Sequence, residues 1–184
     1  MGVHDMKKLD AIHVLRDFDK KGKFVFTKHD MAKLFPNDNS KALDESLNRL
    51  VKNGLLKRAC RGIYVNEHAH SFDSYTIEHI AKALRRHEYN YVSLESVLSE
   101  YGIISQIPLD RITVMTTGRK GIYKTIYGVI EFTHTKRSVI SILDHIQIIK
   151  GRPLRIASKK AALRDLKRVG RNLHLLQTEN NDDE

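Results

Sequence analysis

Hydrophobic and polar positions divide the first third of the chain into short, sharply bounded elements. From Met6 to Phe18, the residues Ala11, Ile12, Leu15 and Phe18 share one side of a helix. Lys20-Lys21-Gly22-Lys23 breaks that pattern, and Phe24-Val25-Phe26 reads as a short apolar strand. Thr27 stands where an N-cap belongs, with Asp30 in the first turn, where the helix dipole favours negative charge. The helix they open buries Met31, Leu34 and Phe35 and stops at Pro36-Asn37-Asp38-Asn39. Asn39 or Ser40 caps a third helix, whose Leu43, Leu47, Leu50 and Val51 form one buried stripe. Gly54 ends it at the usual position just past a helix. Leu55–Ala59 and Ile63–Val65 then read as two strands of a hairpin around Cys60-Arg61-Gly62.

Polar, irregular chain follows from Glu67 to Asp73, and the domain boundary is placed there. Ser74 is expected to cap a helix running to about His87 over Ile77, Ile80, Ala81 and Leu84. Ser93 is expected to cap another over Leu94, Val97, Leu98 and Tyr101, closed by Gly102. Strands are expected at Arg111–Thr116, with Ile112 and Val114 on one face, at about Ile122–Tyr127 and at Val129–Thr133. His145–Ile149 and Leu154–Ala157 read as a hairpin around Gly151-Arg152-Pro153, and Ser158 caps a last helix to about Val169. The fold class is therefore α+β. A winged helix-turn-helix at 1–68 precedes a mixed α/β domain at 69–176, and the acidic tail 177–184 is expected to be disordered.

Charge gives this architecture a direction. Lys and Arg number 32 against 22 Asp and Glu, a net charge of +10. Residues 1–70 hold 14 basic and 9 acidic side chains, 71–150 hold 10 and 8, 151–176 hold 8 and 1, and the tail holds none and 4. The excess thus lies at the two ends of the folded part, as a nucleic-acid partner would require. In a winged helix-turn-helix the second helix of the motif enters the major groove. Here that helix is 40–53, and its face opposite the leucines carries Ser40, Lys41, Glu45, Asn48 and Lys52, with Arg49 at the edge. Asn suits adenine, Lys suits guanine or phosphate, and Glu accepts from cytosine. Lys28 and the hairpin residues Lys57, Arg58 and Arg61 are placed for the DNA backbone. A second basic surface is expected from Lys160, Arg164, Lys167 and Arg171 along the last helix, joined by Arg119 and Lys120. Its ligand would be DNA or RNA; an ordinary solvated helix face is the alternative for both surfaces.

Other chemistry is poorly represented. No apolar run approaches 18 residues, and the N-terminus has no apolar signal-peptide core, so a cytoplasmic protein with no membrane association is expected. Gly118-Arg119-Lys120-Gly121 follows a strand but lacks the GxxxxGK[ST] order of a P-loop, and a basic turn is the better reading. Ten histidines include His68 and His70 two apart, without any zinc-binding spacing. Cys60 is the sole cysteine; Arg58 and Arg61 beside it make an activated thiol conceivable, although a plain small side chain fits better. Neither a catalytic arrangement, a metal nor a cofactor is expected.

Four stretches in order carry a family resemblance. They are Tyr91-Val92-Ser93-Leu94-Glu95-Ser96-Val97-Leu98, Ile112-Thr113-Val114-Met115-Thr116-Thr117-Gly118-Arg119, Tyr127-Gly128-Val129-Ile130-Glu131-Phe132 and Arg155-Ile156-Ala157-Ser158-Lys159-Lys160-Ala161-Ala162-Leu163-Arg164-Asp165. Following a winged helix that closes on Arg61-Gly62-Ile63-Tyr64, they resemble the AbiEi family, the antitoxins of abortive-infection, type IV toxin–antitoxin systems. The resemblance implies a transcriptional autorepressor that binds inverted repeats in double-stranded DNA of its own promoter. It also implies a cognate nucleotidyltransferase toxin, countered without a necessary stable complex, and a second domain associated with neutralisation. Two alternatives stay open: a stand-alone winged-helix regulator, or an interaction protein that neutralises a toxin or shields its RNA target through the C-terminal domain.

Overall fold

The computed structural model describes residues 8–104 and 110–176. Over these described residues the protein is α+β with two sheets, one of three strands and one of six. Its chain divides into two compact units. The first runs through Leu84 and takes in residues 125–127; the second holds the remainder. Among the described residues no helix is long and apolar enough to cross a membrane.

The first unit is built from α1 (Lys8–Asp19), β1 (Val25–Thr27), α2 (Lys28–Leu34), α3 (Ser40–Lys52), β2 (Lys57–Cys60), β3 (Ile63–Val65) and α4 (Thr76–Leu84). Its sheet has the order β1-β3-β2, both pairs antiparallel. One core joins Ala11 and Leu15 of α1, Phe26, Met31, the leucines 43, 47 and 50 of α3, Leu56 and Tyr64. Thr27 caps α2 as its sequence implies: its hydroxyl accepts from Asp30 N at 3.0 Å while Asp30 Oδ2 accepts from Thr27 N at 2.9 Å. Asn39, not Ser40, caps α3, accepting from Ala42 N at 2.9 Å.

At the far end of α3, Gly54 adopts φ +74°. Gly54 N donates to Val51 O and Leu55 N to Leu50 O, both at 3.0 Å. That bond pattern is the Schellman closure, which needs a left-handed residue. It reverses the chain so that β2 leaves directly from the end of α3.

The first domain, expected to end at residue 68, continues as a compact unit to Leu84. α4 packs on β1 and β3. Ile80 and Ala81 are fully buried, and Phe24 meets the rings of Phe72 and His79. Ser74 does not cap this helix, which starts at Thr76; the turn before it is held by Asp73, whose carboxylate accepts from Tyr75 N and whose carbonyl accepts from the Thr76 hydroxyl.

The second unit contains β4 (Asn90–Val92), α5 (Leu94–Glu100), β5 (Arg111–Thr116), β6 (Gly121–Thr125), β7 (Gly128–His134), α6 (Val139–Leu143), β8 (Ile146–Gln147), β9 (Arg155–Ala157), α7 (Lys159–Val169) and a 3-10 turn at Leu173–Leu175. Its strands are ordered β6-β7-β5-β4-β9-β8. β5 and β7 run parallel, as do β4 and β9, while β4–β5 and β8–β9 are antiparallel. Val114, Met115, Ile130 and Phe132 fill the sheet, and α5 packs on β5 and on α7.

Neither β4 nor α6 is anticipated by the sequence reading. Three residues leave too little alternation to mark β4, and Val139-Ile140-Ser141-Ile142-Leu143 has the β-branched composition of a strand. The start of the first helix before Lys8, most of the connector at 104–109 and the tail at 177–184 lie outside the described residues.

Candidate nucleic-acid interface

In the first unit, α3 has two distinct faces. Ala42, Leu43, Ser46, Leu47 and Leu50 are buried, whereas Ser40, Lys41, Glu45, Asn48, Arg49 and Lys52 are exposed. Because Asn39 does the capping, the Ser40 hydroxyl is not spent on the helix end. Arg49 donates to the Ser46 hydroxyl at 2.9 Å, which holds it along the edge of this face. Lys28 is engaged as well: its ammonium lies 2.6 Å from Asp44, an ion pair that braces α2 against α3.

The hairpin follows the Schellman turn immediately. Lys57, Arg58 and Arg61 are all exposed, and the β2–β3 register shifts between Arg58 and Cys60, the signature of a bulge. Cys60 is half-buried in this hairpin. Burial pushes its thiol pKa up, and the opposing pull of Arg58 is the smaller effect. The thiol is therefore no activated nucleophile, in keeping with a small packing side chain. His68 is tied locally, its ring nitrogen 2.9 Å from the Gly54 carbonyl.

The second basic surface is only partly as expected. Lys160 and Lys167 on α7 and the loop residues Arg119 and Lys120 are exposed. Arg164 is half-buried, with its Nε enclosed among protein atoms. Arg171 is a correction. The helix ends at Val169, and Gly170 caps it at φ +71°, so the helical spacing that aligned Arg171 with Lys160 stops short of it. Its guanidinium instead binds Glu95 at 3.0 Å and also pairs with Glu131. Burial works against the Arg171 charge, but hydrogen bonds to Glu131 and Glu95 outweigh it and hold the pKa above its ordinary value. Arg171 is thus a brace inside the second unit. Lys159 and Arg168 are also exposed on α7 beside Lys160 and Lys167, at positions that a strict i, i+4, i+7 stripe passes over.

Asp165, the lone acid of α7, faces fully inward. Its Oδ2 accepts from the Tyr91 hydroxyl at 3.1 Å and from Ser93 Oγ at 3.0 Å, and Arg137 lies 3.4 Å from its Oδ1. Ser93 stands at the N-cap of α5 but makes no side-chain cap bond, because its hydroxyl serves Asp165. Burial, reinforced by Asp165, pushes the Tyr91 phenol pKa far up.

The Gly118 loop is already filled. Gly118 N donates to the Thr116 hydroxyl at 3.0 Å, the Gly118 carbonyl bonds His134 Nδ1, and Thr117 Oγ1 donates to the Glu88 carboxylate at 2.8 Å. A Cβ on Gly118 would come within 2.8 Å of the Glu88 side chain. A carboxylate over the loop leaves it poorly suited to a phosphate.

No protein-family model matches the chain. No curated protein sequence matches it significantly either. Among solved structures, it is similar to the crystal structure of the RV2827C protein from Mycobacterium tuberculosis. The two share 14% sequence identity at a TM-score of 0.59, over 88% of this chain. This chain spans 61% of the length of that protein. At such an identity the likeness speaks to the fold alone.

Proposed function

We propose that this protein binds double-stranded DNA in a sequence-specific way through a winged helix-turn-helix formed by the first unit. One observation carries the reading. α3 presents Lys41, Glu45, Asn48 and Lys52 together on an exposed face, directly beside a basic hairpin with Lys57, Arg58 and Arg61. None of these seven side chains has a hydrogen-bond or ion-pair partner among the described residues. Lys41 and Glu45 stand four residues apart, where opposite charges can pair, yet neither is engaged, which leaves both available to a ligand. The order α1-β1-α2-α3-β2-β3 with the sheet order β1-β3-β2 supports the winged-helix assignment. In this reading α3 lies in the major groove and the hairpin contacts phosphate. The exposed cations of α7, namely Lys159, Lys160, Lys167 and Arg168, supply a second, sequence-independent contact.

Within that class, the resemblance to AbiEi antitoxins makes autorepression of a toxin–antitoxin operon the specific proposal, with a nucleotidyltransferase toxin as the functional partner. Footprinting on the chain's own upstream region tests the first part. Protection of an inverted repeat that survives random-sequence competitor is expected, and uniform, competitor-sensitive protection would refute it. Co-expression tests the second: the protein should restore growth to cells poisoned by a nucleotidyltransferase toxin, should its operon encode one. Failure to do so while operator binding persists would leave a stand-alone regulator.

A further inference from the structure

One buried polar side chain on α3 serves something other than the core around it. Ser46 is 1% exposed and sits in a stripe otherwise made of Ala42, Leu43, Leu47 and Leu50. Alanine would pack there as well and favours a helix more. The bonds of the hydroxyl show what the serine adds. Ser46 Oγ accepts from Arg49 Nη2 at 2.9 Å and donates to Asp38 Oδ2 at 3.4 Å. A hydroxyl can serve both at once, and a carboxylate behind it strengthens its hold on a cation. Asp38 lies in the turn between α2 and α3. The relay therefore runs from that turn, through the buried side of the helix, to the edge of its exposed face.

This sets Arg49 apart from its neighbours. Lys41, Glu45, Asn48 and Lys52 have no partner among the described residues, whereas Arg49, exposed beside them, is held from behind. The difference matches a difference in task. A phosphate contact needs a charge within reach, which a lysine supplies on a flexible stem. A base edge needs a planar fork at a set angle, and setting it beforehand reduces the entropy lost when a long side chain is ordered on binding. Guanine carries N7 and O6 acceptors side by side in the major groove, the edge that a guanidinium fits.

We propose that Arg49 reads one guanine of the bound duplex, and that Ser46 and Asp38 are the positioning residues that aim it. This role rests on the placement of α3 in the major groove proposed above, and it names the base that α3 requires and the side chain that meets it.

The test is a base-preference profile of the full chain. Each base pair of the duplex protected in footprinting of the chain's own upstream region is replaced in turn, and affinities are compared at one salt concentration. Circular dichroism checks the fold of each variant. In the wild type, replacing one G·C pair should weaken binding about tenfold or more. Arg49→Ala should erase the preference at that pair and leave the preferences elsewhere in place. Ser46→Ala should reduce the preference at the same pair roughly threefold or more, and should change nothing further in an Arg49→Ala background, because it acts through Arg49. A loss that a merely structural serine caused would instead fall on all sequences equally and persist in that background. If Arg49→Ala weakens every duplex by the same factor, Arg49 contacts phosphate and the proposal is overturned. A folded Ser46→Ala with the wild-type profile overturns the positioning role. Either result leaves sequence-specific binding standing, whereas a wild type with a flat profile removes that reading and this one together.

Discussion

Arg171→Ala separates the two roles this side chain could have. Arg171 holds Glu95 and Glu131, whose side chains are 7% and 12% exposed, and is itself 30% exposed. Breaking a buried ion pair by removing one partner costs roughly 3–5 kcal/mol, mostly because a charge is left uncompensated. Two features reduce that here. Glu131 keeps Arg111 at 2.9 Å and Glu95 keeps Asn172 Nδ2 at 2.8 Å, and the guanidinium is partly screened by solvent. A loss of about 2–3 kcal/mol remains. In a unit of ~100 residues that lowers the melting temperature by about 10 °C or more. Urea and thermal unfolding measure the loss, and a salt series of DNA-binding isotherms supplies the second readout. The slope of log K against log salt should match that of the wild type, because Arg171 faces no phosphate. Lys167→Ala should do the reverse, with stability within about 0.5 kcal/mol of wild type and a slope flatter by about one unit. If Arg171→Ala is as stable as wild type and flattens the slope, the brace assigned to Arg171 is wrong.

Other variants test separate parts of the account. Asn48→Ala should relax preference at one base pair, costing roughly 1–3 kcal/mol there, while Lys52→Ala should weaken all sequences alike; binding to operator point variants distinguishes the two. Gly54→Ala forces a side chain into the left-handed region at φ +74° and should cost about 1–2 kcal/mol in urea unfolding. Tyr91→Phe removes one of two hydroxyls serving buried Asp165 and should cost roughly 1.5–3 kcal/mol. Tyr91 has a raised pKa when folded, so its contribution is complete below the ordinary phenol value and falls as pH rises past about 10. The stability deficit of Tyr91→Phe should therefore shrink in alkali; a deficit that is constant with pH contradicts the buried pairing.

How far the sequence showed this structure depends on whether the deciding contact is local. Thr27 with Asp30, Asn39 before α3 and Gly54 after it act within a few residues, and each stands where its residue type demands. The same locality made the face of α3 legible, since burying the leucines fixes which residues point outward. Arg171 failed that test because its partners lie 76 and 40 residues away and Gly170 turns the chain off the helix just before it. Ser93 looked like a cap, and only its distance from Asp165 in space shows otherwise. The division after Leu84 likewise rests on Phe24, Phe72 and His79 meeting, which no local pattern displays.

The central claim is sequence-specific duplex recognition by α3 and the adjoining hairpin. Its most direct test is the ratio of affinities for the duplex protected in footprinting of the chain's own upstream region and for a random duplex of equal length, at one physiological salt concentration. The account predicts a ratio of about a thousand or more for the wild type, reduced by roughly tenfold or more in Asn48→Ala. Equal affinity for the two duplexes, or a ratio that Asn48→Ala leaves unchanged, would contradict it.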